Sequence, residues 1–242
     1  MTIIPRSAAV AATAAAALFA LSFSAEAFPV TQQGSNAHNG YGAATVKLTG
    51  VSGNVSAGAF ALNADELGGN FAAWCLDIAN TLGLPSDYEF TTSPFAGNPL
   101  SASVISNLQA LVNTAYSAVL ANLNNSAYSA GFQLALWEII TETKKTYDVT
   151  KGNFVVSTVS GHTGAGNAAR TKANEFLNGL GGPVTGNYTL TYLQSTDGKQ
   201  SLVNIAPTPP VSEVPVPAAG LLLMGALGGL GVMARRRKSA DA

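Results

Sequence analysis

Cysteine is nearly absent from this chain. Cys75 is the only one in 242 residues, so no internal disulfide can form and no thiolate metal cluster can be built. Histidine is almost as scarce, at two residues. No metal-ligand spacing, phosphate loop or dinucleotide fingerprint occurs, and no cofactor is expected. Charge is thin as well. Lys and Arg number 12 and Asp and Glu 13, so charged residues make up only 10% of the chain. No basic patch stands out, which argues against nucleic acid as a partner. No internal repeat is visible. Asn, Ser, Thr, Gly and Ala fill the surface instead, a composition common in extracellular bacterial proteins.

The two ends are what the sequence has in abundance. Arg6 precedes an apolar run from Ala8 to Leu21, and Ala25-Glu26-Ala27 supplies a small-x-small site. Residues 1–27 therefore read as a signal peptide cut by signal peptidase before Phe28, in preference to a core helix. At the other end Val214-Pro215-Val216-Pro217-Ala218 opens an apolar stretch of 21 residues ending at Ala234. As a helix it spans about 30 Å, the thickness of a bilayer's hydrocarbon core. Arg235-Arg236-Arg237-Lys238 follows. Clustered positive charge stays cytoplasmic, which puts residues 28–213 outside. A Pro motif, an apolar helix and a basic stop over 214–238 resemble the PEP-CTERM class of sorting signals, in a form like its VPLPA variant. That resemblance implies a membrane protease, exosortase, that cuts near the motif, so membrane anchoring is transient and the ectodomain ends on the surface or in the extracellular matrix. An ordinary single-span anchor is the alternative.

Without its ends the chain keeps residues 28–213, with 7 Lys or Arg against 11 Asp or Glu and a net charge of 7 − 11 = −4. Residues 31–42 are rich in Gly, Asn and Gln and read as a loop. Strand patterns cover 45–49, 58–62 and 71–76. The period then changes. Val104, Leu108, Leu111, Ala115, Val119 and Leu123 form one stripe of a helix over 101–123. A second helix is expected from Tyr128 to Thr143, and a third from an N-cap at Asn167 to Gly179. Residues 188–193 and 201–205 form a hairpin about the turn Thr196-Asp197-Gly198. Residues 206–213 are a Pro-rich linker. Strands, then helices, then strands predict an α+β fold over 28–205, an antiparallel, sandwich-like sheet with a helical insertion.

Two segments stand out together. Trp74-Cys75-Leu76-Asp77 ends a predicted strand, and Gln133-Leu134-Ala135-Leu136-Trp137 lies in the second helix, 133 − 75 = 58 residues on. They resemble the two halves of the thioester domain of surface adhesins, over roughly residues 45–205. The resemblance implies that the Cys75 thiol displaces ammonia from the Gln133 amide. The resulting thioester is open to an amine or hydroxyl of a surface or polysaccharide partner. Such a reaction is a single-use attachment and not enzymatic turnover. It requires thiolate formation, a donor for the oxyanion and exclusion of water. Trp137, one helical turn beyond Gln133, is placed to shield the bond. The alternatives are a matrix protein with a buried inert thiol and, more remotely, a secreted hydrolase pairing Cys75 with His38 or His162. Glu138 and Glu142 read as a solvated helix face or as partners of Lys145.

Overall fold

A computed structural model describes residues 26–92, 95, 99–143, 146–158 and 163–209. The chain divides into two compact units, Met1–Ala206 and Pro207–Ala242. Of the second, only 207–209 are described. Most of the expected signal peptide, the sorting motif with its apolar stretch and basic stop, His162 and Lys145 lie outside the described residues. Among the described residues no helix is long and apolar enough to cross a membrane.

The first unit mixes helix and antiparallel sheet, with the helices inserted between strands. Six strands close a barrel in the order β1-β4-β5-β9-β8-β6. They are β1 (Phe28–Gln32), β4 (Phe60–Ala64), β5 (Gly69–Cys75), β6 (Ser86–Thr91), β8 (Tyr188–Ser195) and β9 (Leu202–Pro207). A separate three-stranded sheet has the order β3-β2-β7, from β3 (Val55–Gly58), β2 (Ala43–Leu48) and β7 (Val156–Thr158). The expected sandwich is thus replaced by a closed barrel beside a small sheet. Closure leaves the barrel no free edge. The loop expected over 31–42 begins with the end of β1, whose Phe28 and Val30 are buried and alternate with exposed neighbours.

Helix α1 (Ala102–Leu120) starts at Ser101, whose hydroxyl accepts the Val104 N–H at 3.3 Å. Its buried stripe is Leu108, Leu111, Val112, Ala115, Tyr116 and Val119. Helix α2 (Ser126–Thr141) is capped by the Asn125 side chain on the Ala127 N–H at 2.9 Å. Every residue from Ser129 to Ile139 is buried. A helix buried all round must be central, and α2 sits against α1, β2, β3 and α3 (Thr163–Asn178). Gly131 allows the close crossing with α3: a Cβ there would stand 3.0 Å from the Ala169 carbonyl. The third helix begins four residues before the expected cap. Asn167 is therefore inside it and faces Arg170 at 3.4 Å.

Candidate functional site

Cys75 is the last residue of β5. Along a strand, backbone groups alternate between the two neighbours. The Leu76 N–H bonds the Ser201 carbonyl at 2.9 Å, toward β9, so the N–H and C=O of Cys75 face the β4 side. There β4 has already left the ladder: its first residue, Phe60, pairs with Ala73. The Gln133 side chain takes the place of the missing strand. Gln133 Oε1 accepts the Cys75 N–H at 2.9 Å, and Gln133 Nε2 donates to the Cys75 carbonyl at 2.7 Å. One helical turn earlier, Ser129 Oγ accepts the Ala59 N–H at 2.8 Å. The same face of α2 thus satisfies two orphaned stretches of barrel backbone.

Both partners are closed off from water, Gln133 fully and Cys75 at 1% exposure. The Cys75 thiol donates to the Asp77 carbonyl at 3.0 Å. Burial pushes its pKa well up, and the Asp77 charge adds to this. The Trp137 indole is the strongest influence in the opposite sense. Its N–H is buried and has no partner at ordinary hydrogen-bond distance among the described residues. It is a donor in reserve for negative charge on the sulfur. Trp137 therefore brings an N–H as well as the apolar cover its position suggested. It packs its ring against Phe154, with centroids 6.3 Å apart.

Gln133 and Trp137 border a cleft of about 580 Å³. His38 lines it too, but both ring nitrogens are engaged. Nδ1 lies 2.8 Å from the Ala59 carbonyl, which fixes the proton there, so Nε2 accepts from Ser56 Oγ at 3.0 Å. The cysteine thiol is bonded to Asp77 and not to this imidazole, so Cys75 and His38 do not form a nucleophile pair. A residue that sequence reasoning missed, Gln200, lines the same cleft. It comes from the turn before β9, and no local pattern marks it. Its Nε2 ties down the loop after Cys75 by bonds to the Asp77 and Asn80 carbonyls at 2.9 and 3.0 Å.

Two solved structures from Streptococcus pyogenes are similar to this chain. One is the N-terminal thioester domain of fibronectin-binding protein SfbI, at 12% identity and a TM-score of 0.41, with 73% of this chain and 91% of that one covered. The other is the N-terminal domain of the pilus tip adhesin Cpa, at 15% identity and a TM-score of 0.37, with 75% and 100% covered. No protein-family model matches the chain, and no curated protein does. At similarities this distant, function has to rest on the geometry of the site itself.

The downstream end of α2 departs from expectation. Glu138 and Glu142 are buried and not solvated. Glu138 Oε1 accepts the Asp148 N–H at 2.8 Å, and Glu142 accepts the N–H groups of Thr143 and Asn153, each at 2.8 Å. The loop after α2 turns back over the helix end, and its backbone donors need acceptors there. Glu138 Oε2 is left without a partner among the described residues. Burial raises the Glu138 pKa from an ordinary 4.5 to about 7, with Glu142 and Asp148 adding to the rise and the Asp148 N–H opposing it. Among the described residues no group of three or more His, Cys, Asp or Glu stands together to hold a metal.

Proposed function

We propose that this is an exported surface protein of the adhesin or matrix-linking kind, whose Cys75 and Gln133 condense to an internal thioester that captures a nucleophile on a partner. The observation that carries this reading is the reciprocal pair of buried hydrogen bonds between the Gln133 amide and the Cys75 backbone. They hold the amide against the backbone of the residue whose thiol would attack it. The Cys75 N–H already rests on Oε1, the oxygen that becomes the oxyanion, and so acts as a preorganised donor. The Trp137 N–H favours the thiolate against burial.

In the first step the Cys75 sulfur adds to the Gln133 amide carbon. The C–N bond then breaks, and ammonia leaves carrying the thiol's proton. In the second step an amine or hydroxyl of the partner adds to the thioester carbon. The C–S bond breaks, the nucleophile's proton passes to sulfur, and an amide or ester joins the partner to Gln133. The thiol is regenerated but the acyl group is spent, so the protein acts once and is not an enzyme. No cofactor takes part.

The ends supply the address in this reading. Signal peptidase removes 1–27, and an exosortase-type protease processes the Val214–Ala218 motif after the apolar helix has held the chain in the inner membrane. The partner is a surface protein or polysaccharide. A second reading, a matrix protein with an inert thiol, is favoured by the neutral hydrogen bond from Cys75 to Asp77.

Intact mass separates the two. The thioester reading expects a protein lighter by one ammonia, converted by methylamine to an adduct at Gln133. Both signals should vanish in Cys75→Ala and in Gln133→Ala. A full-mass wild-type protein with a free thiol would establish the inert reading.

A further inference from the structure

Cys75 and Gln200 share an acceptor. The Cys75 thiol donates to the Asp77 carbonyl at 3.0 Å, and Gln200 Nε2 donates to the same oxygen at 2.9 Å. A carbonyl oxygen has two lone pairs, so these donors fill it. A thiol is a weak donor, and its hydrogen turns easily about the Cβ–Sγ bond. Its direction is therefore set by where the acceptor is held. The loop that carries the acceptor is tied along its length. The Asp77 carboxylate accepts the Ala79 N–H at 2.9 Å and the Asn80 side-chain amide. The Asn80 carbonyl takes a hydrogen of Gln200 Nε2 at 3.0 Å, and the Thr81 carbonyl takes the Gln200 backbone N–H at 3.3 Å. Gln200 is anchored in turn. It is only 8% exposed, Tyr88 Oη donates to its carbonyl at 3.0 Å, and the carbonyl of the next residue, Ser201, accepts the Leu76 N–H at 2.9 Å.

We infer that Gln200 is a positioning residue for acyl transfer, which fixes the direction of the Cys75 thiol through the Asp77 carbonyl that the two side chains share. The inference rests on the thioester reading of the site and deepens it. With the hydrogen held toward Asp77, it does not stand in the way of the sulfur lone pairs. When that proton leaves with ammonia, the bond from sulfur to the carbonyl is lost. Negative charge on sulfur then needs a donor in place of the acceptor. Burial is the main cause that raises the thiol pKa, and the side chains of Trp137 and Gln200 both act against it. The amide that aims the thiol thus also supports the anion. The same support applies in the capture step, when the C–S bond breaks and sulfur departs with the electron pair. Loop stability alone gives no reason for the choice of this amide, because its Oε1 is buried without a partner among the described residues.

The test makes two measurements on the full-length protein. Cys75 is the only cysteine, so the infrared S–H stretching band reports it alone. The band is recorded on the free-thiol form left by methylamine capture, which keeps an amide at position 133. In Gln200→Met the band should move toward the wavenumber of an unbonded thiol. Methylamine capture, followed by intact mass, should slow about tenfold or more. An unmoved band overturns the inference. Faster capture with faster hydrolysis also overturns it, since a loosened loop with no part in aiming the thiol would simply admit water and amine. A shifted band with capture within about twofold of wild type separates thiol direction from reactivity and overturns it too. Gln200→Ala, which forces no bulk into the site, must reproduce both changes and carries the test where the methionine variant does not fold. Failure of both variants to fold makes Gln200 a structural residue and overturns the inference. All these outcomes leave the thioester itself standing. A wild-type protein at full mass sinks the thioester reading, and this inference with it.

Discussion

Helix α2 makes two buried polar connections, and they differ in kind. Its middle reaches the barrel through neutral groups, the Ser129 hydroxyl and the Gln133 amide. Its end holds the following loop through two carboxylates, Glu138 and Glu142. The amide matches a donor and an acceptor on one residue, so it satisfies both and does not respond to pH. The carboxylates accept several N–H groups, but Glu138 keeps one oxygen unpaired and its charge is poorly hydrated. A neutral two-way match suits a place where reacting atoms must be held in register. A buried acid fastens a loop well only in one protonation state.

The largest expected effect breaks the neutral connection. In a Cys75→Ala background, where no thioester can form, Gln133→Leu leaves the N–H and C=O of position 75 buried and unpaired. At about 1–3 kcal/mol for each orphaned group, urea unfolding should show a loss of about 3 kcal/mol or more. The loss should be the same at pH 5 and pH 8.

The acidic connection should behave in the opposite way. The folded state holds the Glu138 proton up to about pH 7, whereas the unfolded chain releases it near 4.5. Between those values the folded state binds more protons. Stability from this residue is therefore fully present below about 4.5 and falls as pH rises to 7, by about 2–3 kcal/mol. Glu138→Gln should flatten that fall in urea midpoints compared at pH 5 and pH 8. A midpoint slope unchanged by the substitution would remove Glu138 as its source. Asp148, held down at about 2 by bonds from Thr150, titrates well below this window.

A smaller effect sharpens the same side of the comparison. Gly152 has φ +95°, and a Cβ there would overlap Glu142 Oε2. Gly152→Ala should cost about 1–2 kcal/mol of thermal or urea stability, from left-handed backbone strain plus displacement of the carboxylate. Methylamine reactivity at Gln133 should be unaffected, because the disturbance lies at the far end of α2.

Much of the architecture was legible from residue patterns. The α1 stripe from Leu108 to Val119, the run of α2, the strands around residues 45, 60 and 72 and the closing hairpin all follow from apolar periodicity. The short strands were not legible. β7 is three residues long, β3 is four, and β1 carries a proline at its second residue, so none spans enough periods to register. The start of α3 was missed because Asn167 offered a good cap inside a helix that begins at Thr163. The acids at the end of α2 misled for a different reason. A charged pair one turn apart looks solvated unless a distant loop is known to fold over it.

Apolar periodicity by itself determined that the middle is α+β, and the resemblance of two short segments to thioester domains singled out Cys75 and Gln133 as the pair to consider. Tertiary structure decided what that pair touches. Only the stagger of β4, whose first residue Phe60 sits opposite Ala73, leaves Cys75 without a strand on that side. Only the central position of α2 lets an amide fill that gap, and only the turn before β9 brings Gln200 to the same cleft. Local sequence carries periodicity and capping signals. The hydrogen bonds of an orphaned strand end are settled by whichever element arrives beside it, up to 58 residues away for Gln133 and more than 100 for Gln200.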